Sequence, residues 1–107
     1  MPARSIAFLS AAIALCATGA RAEIDVAASI KPVHSLVAAV MEGVGTPHLL
    51  IDGASSPHTF AMRPSTARVI AGADVVFWVS SSLEPSLANA LGTLAPDATR
   101  VEMIDTP

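Results

Sequence analysis

The chain has 107 residues, of which 52% are hydrophobic, 14% are charged and one is a cysteine, with a formal net charge of −3. This apolar and weakly acidic composition is typical of a folded globular chain and excludes a disordered polymer. It contains no basic stripe, which argues against nucleic acid or an anionic membrane surface as a partner.

The first 22 residues have the features of a secretory signal peptide. Arg4 supplies the positive n-region, residues 6–15 form the apolar h-region, and Ala20-Arg21-Ala22 fits the small-x-small rule for cleavage. The apolar run is too short to span a membrane, which takes about 20 residues. We therefore expect a signal peptide over residues 1–22, cleavage after Ala22, and a mature domain over residues 23–107.

Removal of this leader changes the chemistry that is open to the chain. The single cysteine, Cys16, lies within the leader, and the bulky Leu15 before it does not suit lipoprotein processing. The mature chain then has no thiol, so a metal must be held by nitrogen and oxygen atoms. Four basic residues are left against nine acidic ones, a formal charge of −5.

The mature chain alternates short apolar strands with amphipathic helices. Apolar residues recur at helical spacing in three segments, and shorter apolar runs separate them. In chain order we predict a strand that opens at residue 24 and ends near residues 29–30, a helix over 32–43, a strand over 48–51, a helix over 64–72, a strand over 75–79, a helix over 81–92 and a strand over 99–104.

Proline, glycine and polar side chains set the predicted helix boundaries. Pro32 suits the first turn of its helix because its φ is fixed and it has no N–H. Ser65 is the predicted N-cap of the second helix. Ser81 and Glu84 have the spacing of a capping box for the third helix, which Gly92 is expected to end.

The alternation of strands and helices predicts an α/β fold. Residues 75–79 form an unbroken apolar run, which is typical of a strand that is buried on both faces. Repeated strand–helix–strand units favour a parallel sheet, and right-handed crossovers place helices on both of its faces. We therefore predict a parallel four-stranded sheet with helices on both faces.

His58 is the candidate metal ligand. It lies on a polar loop after the second predicted strand, at the sheet edge where open α/β folds bind their ligands. Imidazole is a good ligand for zinc, and Pro57 restricts the backbone before the histidine. An ordinary solvent-facing histidine is the alternative, because a zinc site needs three or four converging ligands.

Four other side chains could offer ligand atoms, and each has a structural alternative. His34 is expected in the first turn of a helix, near the same sheet edge as His58, whereas His48 is expected at the opposite end of the sheet. Asp52 and Glu84 could each supply an oxygen near the strand ends, or serve only as a turn former and a helix cap.

The sequence does not predict an enzyme. Ser55, Ser56 and His58 are close together, but no G-x-S-x-G elbow or third partner accompanies them. A glycine-rich phosphate loop and paired catalytic carboxylates are also absent from the sequence. We therefore expect a binding protein, without a catalytic residue and without a resident cofactor.

Five segments of the mature chain occur in the order of a known family. They are Val26–Pro32, Asp52–Phe60, Arg63–Ser65, Gly72–Val79 and Leu83–Glu84. Together they resemble the N-terminal lobe of zinc ABC transporter substrate-binding proteins, the ZnuA-like members of the metal-binding cluster of solute-binding proteins.

The resemblance implies a periplasmic, monomeric receptor of two α/β lobes joined by a long helix. Zinc lies between the lobes as the transported ligand and is delivered to the membrane permease of an ABC importer. His58 falls on the first metal-ligand histidine of that family. The other ligands belong to the linker and second lobe, so the chain is interpreted as an N-terminal fragment that stops after its fourth strand.

Two alternative functions stay open at this point. Manganese-type relatives, and some zinc ones, carry an acid beside the ligand histidine, whereas Pro57 and Thr59 flank His58 here. These neighbours favour zinc over a manganese or mixed-metal receptor, because manganese prefers more oxygen ligands. The alternative from another class is a secreted interaction or adhesion module that uses this lobe as a rigid platform.

Overall fold

The computed structural model describes residues 22–53 and 55–105. Three helices alternate with four strands in these ranges, and none of the helices is long and apolar enough to cross a bilayer. The elements are β1 (Val26–Ala28), α1 (Lys31–Val40), β2 (His48–Leu49), α2 (Pro64–Gly72), β3 (Val75–Trp78), α3 (Pro85–Leu94) and β4 (Thr99–Glu102). The predicted leader, apart from Ala22, lies outside the described residues, so its cleavage stays a prediction.

The four strands form one parallel sheet in the order β2-β1-β3-β4. The chain runs outwards from β1 to β2, returns across β1 to β3, and continues outwards to β4. Because the direction reverses, right-handed crossovers place α1 on one face and α2 and α3 on the other. This arrangement confirms the predicted fold class.

Each face of the sheet has its own apolar core. On one face, Val33 and Val37 of α1 pack with Val26 and Ala28 of β1. The cluster on the other face contains Ala27, Leu50, Ile51, Phe60, Ile70, Val76, Trp78, Leu87, Leu91 and Ala95. The buried apolar residues that recur at helical spacing therefore form the side of each helix that packs on the sheet, with α1 on one face and α2 and α3 on the other.

Burial of β3 on both faces was predicted, and the structure confirms it for one face only. Val76 and Trp78 point into the larger core and are buried, whereas Val75 and Phe77 are half-buried. The second pair faces the side of the sheet that carries α1, which is the only helix there in the described part of the chain. One helix does not cover the whole of that face.

Several helix boundaries and caps differ from the sequence prediction, including the end of α1 at Val40 rather than near Gly43. The N-cap of α2 is Arg63, followed by Pro64, and Ser65 makes no cap hydrogen bond. α3 begins at Pro85 and continues past Gly92. A proline at the first helical position has no N–H to satisfy, which lessens the need for a capping side chain. An interior glycine costs only about 1 kcal/mol relative to alanine, so it need not end a helix.

The predicted capping box of Ser81 and Glu84 is wrong, and a different hydrogen-bonded turn leads from β3 to α3. Glu84 is fully buried, and its Oε2 accepts a hydrogen bond from the N–H of Val79 at 2.8 Å. The N–H of Ser81 donates instead to Oε1 of Glu102 at 3.0 Å. Side chains from inside the turn and from β4 therefore fix this connection at the carboxyl edge of the sheet.

We expect Glu84→Ala to lower the free energy of unfolding by about 2 kcal/mol, because the N–H of Val79 would lose its acceptor in a buried turn. Urea denaturation of the mature chain measures this change. Glu84→Gln is the matched control, since it keeps an oxygen acceptor and should lose less. Equal stability of the alanine variant and the wild type would contradict this role for the carboxylate.

Candidate metal-binding loop

The loop that carries His58 spans residues 52–63 and is fixed at both ends. At its start, Ile51 is buried, and its N–H donates to the carbonyl oxygen of Ser29 at 2.8 Å, which extends the pairing of β2 with β1. Near its other end, Phe60 is buried in the larger core with 8% exposure. The loop leaves the carboxyl end of β2 and reaches α2 at Pro64.

His58 lies in the exposed part of this loop. Its side chain faces solvent, while the neighbouring Pro57 is half-buried. The N–H of Thr59 donates to the carbonyl oxygen of Ser56 at 3.1 Å, which closes a turn around the histidine. The structure thus places His58 at the carboxyl edge of the sheet, as predicted, and its role as a ligand stays a prediction.

The first residues of the loop interact with the start of α1. Oδ1 of Asp52 accepts a hydrogen bond from the N–H of Gly53 at 2.8 Å and lies 3.7 Å from Nζ of Lys31. The carbonyl oxygen of Asp52 also accepts a hydrogen bond from the N–H of Ser55 at 3.1 Å. Asp52 is therefore a turn former in an ion pair, and one of its oxygens is already engaged.

The other two histidines do not join His58. His34 is half-buried in α1, and its Nε2 lies 2.9 Å from the carbonyl oxygen of Pro47. Because Pro47 precedes β2, this ring is directed towards the amino end of that strand, so the expectation that it shares the edge with His58 is wrong. His48 opens β2 at the amino end, as predicted, with its Nε2 4.0 Å from Oδ1 of Asp25.

Glu84 is not available to a ligand at the surface. It is fully buried, and one of its oxygens holds the backbone of Val79. Within residues 22–53 and 55–105, no group of three or more His, Cys, Asp or Glu side chains could hold a metal ion. What this part of the chain can offer at the loop is one exposed imidazole nitrogen.

Sequence reasoning treated Lys31 only as a charge and missed its contact with the loop. A usable signal was present, since Lys31 comes three residues after the end of β1 and residue 52 comes three residues after the end of β2. The carboxyl ends of adjacent parallel strands lie side by side, so residues that follow them can meet. That inference requires β2 to lie beside β1, which a single sequence does not specify.

Curated proteins that are similar in sequence are zinc-uptake proteins. The chain is 45% identical over 80 residues to the high-affinity zinc uptake system protein ZnuA of Brucella abortus, an alignment that covers 75% of this chain and 24% of that protein. It is 35% identical over 100 residues to the ZnuA of Paracoccus denitrificans, with 92% and 31% covered. The alignments thus span about a quarter to a third of the length of these relatives. The relatives are uptake proteins rather than enzymes, which agrees with the prediction that the chain is not an enzyme.

Solved structures support the same fold. The zinc-bound ZnuA-like domain of Streptococcus pneumoniae AdcA matches with a TM-score of 0.67 at 18% identity, covering 79% of this chain and 33% of that one. A manganese-bound periplasmic metal-binding protein from Candidatus Liberibacter asiaticus matches with a TM-score of 0.69 at 16% identity, covering 77% and 31%. The family model described as zinc-uptake complex component A, periplasmic, matches residues 26–106. The chain therefore belongs to the ZnuA family.

Proposed function

We propose that this chain forms the N-terminal lobe of a periplasmic zinc receptor, in which His58 donates one imidazole nitrogen to the zinc ion. The observation that supports this role is the exposure of His58 on a loop whose two ends are fixed, at the carboxyl edge of a parallel sheet. Open α/β sheets bind their ligands at that edge. Membership of the ZnuA family supports zinc as the metal that is bound.

The chemistry of the loop favours zinc over manganese. Zinc accepts nitrogen-rich sites, whereas manganese prefers oxygen ligands. Asp52, an exposed carboxylate in the same loop, is paired with Lys31, so its negative charge is already balanced.

The remaining ligands come from outside this lobe. A closed zinc site needs three or four ligands, and within residues 22–53 and 55–105 no group of three His, Cys, Asp or Glu side chains could hold a metal ion. The zinc ion therefore lies between this edge of the sheet and a second set of ligands. Zinc is the transported ligand, which the receptor delivers to the permease of an ABC importer. The receptor acts as a monomer in the periplasm, after its leader has been cleaved behind Ala22.

The mature chain alone, residues 23–107, is expected to bind zinc with a dissociation constant well above the micromolar range, because one imidazole cannot complete the tetrahedral coordination of the ion. Isothermal titration calorimetry measures this affinity. His58→Ala should remove the weak binding, and His48→Ala, at the other end of the sheet, should leave it unchanged. Sub-micromolar zinc binding that persists in His58→Ala would contradict both the site and the need for outside ligands.

A chimaeric receptor tests the function in a complete protein. In it, residues 26–106 of this chain replace the matching segment of the Brucella abortus relative, which is named for high-affinity zinc uptake. We expect nanomolar-range zinc binding that a large excess of manganese does not displace. Displacement of zinc by equimolar manganese would instead support a manganese or mixed-metal receptor, the alternative within this family.

A further inference from the structure

Lys31 connects the start of α1 to the loop that carries His58. It is the first residue of α1, directly beyond the turn that follows β1. Its Nζ lies 3.7 Å from Oδ1 of Asp52, and the two side chains are 63% and 87% exposed. An exposed ion pair of this kind contributes little to global stability, so any function it has is local.

Gly53 allows the lysine to lie close against the loop backbone. A Cβ atom placed on Gly53 would lie 2.7 Å from Nζ and 3.2 Å from Cε of Lys31. The N–H of Gly53 donates to Oδ1 of Asp52, the same oxygen that faces the ammonium group. Lys31, Asp52 and Gly53 therefore form one compact cluster, which we call the Lys31 cluster.

The Lys31 cluster is a polar contact between the exposed part of the loop and the start of α1. Among the described residues from Asp52 to Thr59, the pair of Lys31 and Asp52 is the only ion pair or hydrogen bond that reaches another element. The three hydrogen bonds donated by the N–H groups of Gly53, Ser55 and Thr59 stay within the loop. The pair of Lys31 and Asp52 therefore adds a polar attachment for the exposed residues, beside the burial of Ile51 and Phe60 at the two ends of the loop.

We propose that Lys31 is a positioning residue for His58, a role that rests on the proposed function of the loop. The lysine holds the first two loop residues against the start of α1 and thereby limits the positions that the imidazole can reach. Metal affinity depends on such supporting contacts because each ligand must already point at the ion before it binds.

A simple charge effect would act in the opposite direction. A lysine cation repels a divalent ion, so removal of its charge would strengthen zinc binding if Coulomb repulsion dominated. Loss of the Lys31 cluster would weaken binding if positioning dominated. The sign of the change in affinity therefore distinguishes the two effects.

The test compares variants of the chimaeric receptor by zinc titration and by thermal unfolding. We expect Lys31→Met to weaken zinc binding roughly tenfold, the lower end of the effect of losing a contact that orients a ligand. Lys31→Arg, which keeps the cation and the long stem, should restore most of the affinity. Arg68→Met is the matched control, since it removes an exposed cation from the middle of α2 and should change neither measurement.

Gly53→Ala tests the same positioning role of Lys31 without removing a charge. The added Cβ displaces the flexible end of Lys31, so zinc affinity should fall while the melting temperature stays within about two degrees of the parent, as expected for a surface change. Unchanged or tighter zinc binding in both Lys31→Met and Gly53→Ala overturns the positioning role while leaving His58 as a ligand. Full zinc affinity in His58→Ala would instead overturn the proposed function itself.

Discussion

Replacing His58 by alanine in the chimaeric receptor should weaken zinc binding by at least roughly a hundredfold. Loss of a contact that only orients a ligand costs about 10- to 100-fold in metal affinity, and loss of the ligand itself should cost more. The loop around His58 is exposed, so the substitution removes the imidazole without opening a cavity. Competition with a chromophoric zinc chelator measures the two affinities.

His48→Ala is the control for this experiment. His48 is also an exposed histidine, but it lies at the amino end of β2, next to Asp25. Its removal should leave the affinity within twofold of the parent chimaera, roughly the spread expected for a neutral surface change. If both histidine variants retain tight zinc binding, another residue supplies the ligand and the proposal for His58 is wrong.

Phe60→Ala should have the largest effect on stability, lowering the free energy of unfolding by about 3–5 kcal/mol. Phe60 has 8% exposure and lies in the larger core, so its loss leaves a cavity beside the sheet. Native proteins are stable by only about 5–15 kcal/mol, so this change should remove a large part of the stability of the lobe. Urea denaturation followed by circular dichroism measures the change.

Val40→Ala is the matched control for stability, because Val40 is 84% exposed on α1. Its effect should stay within about 0.5 kcal/mol. Phe60→Leu should recover most of the lost stability by filling much of the cavity. Because Phe60 fixes the loop two residues after His58, Phe60→Ala should also weaken zinc binding, and Phe60→Leu should restore it in parallel with stability. A stable Phe60→Ala variant would show that the loop does not need this attachment to the core.

The sequence was sufficient for the order of elements and for most of the core. Val33 and Val37 recur at helical spacing and are buried together on one face of the sheet. Leu87 and Leu91 do the same on the other face. Periodicity predicts these residues because an apolar stripe on a helix tends to face the core, although Leu36 and Val40 of α1 stay exposed.

Local contacts that depend on neighbouring elements could not be predicted. The carboxylate of Glu84 holds the backbone of Val79 rather than the start of its own helix. The ring of His34 reaches Pro47, and Lys31 reaches Asp52, across gaps of 13 and 21 residues. The contacts of His34 and Lys31 follow from which strands are adjacent, and that of Glu84 follows from the path of the turn. The periodicity of one sequence contains neither kind of information.

The position of β1 in the sheet has a consequence for folding. Among the strands of the described residues it is synthesised first, yet it lies in the interior of the sheet and pairs with both β2 and β3. Its second partner is complete only when Trp78 has been made, about fifty residues later. Because pairings over such separations close slowly, we expect the lobe to gain its native structure late and in one cooperative step rather than strand by strand during synthesis.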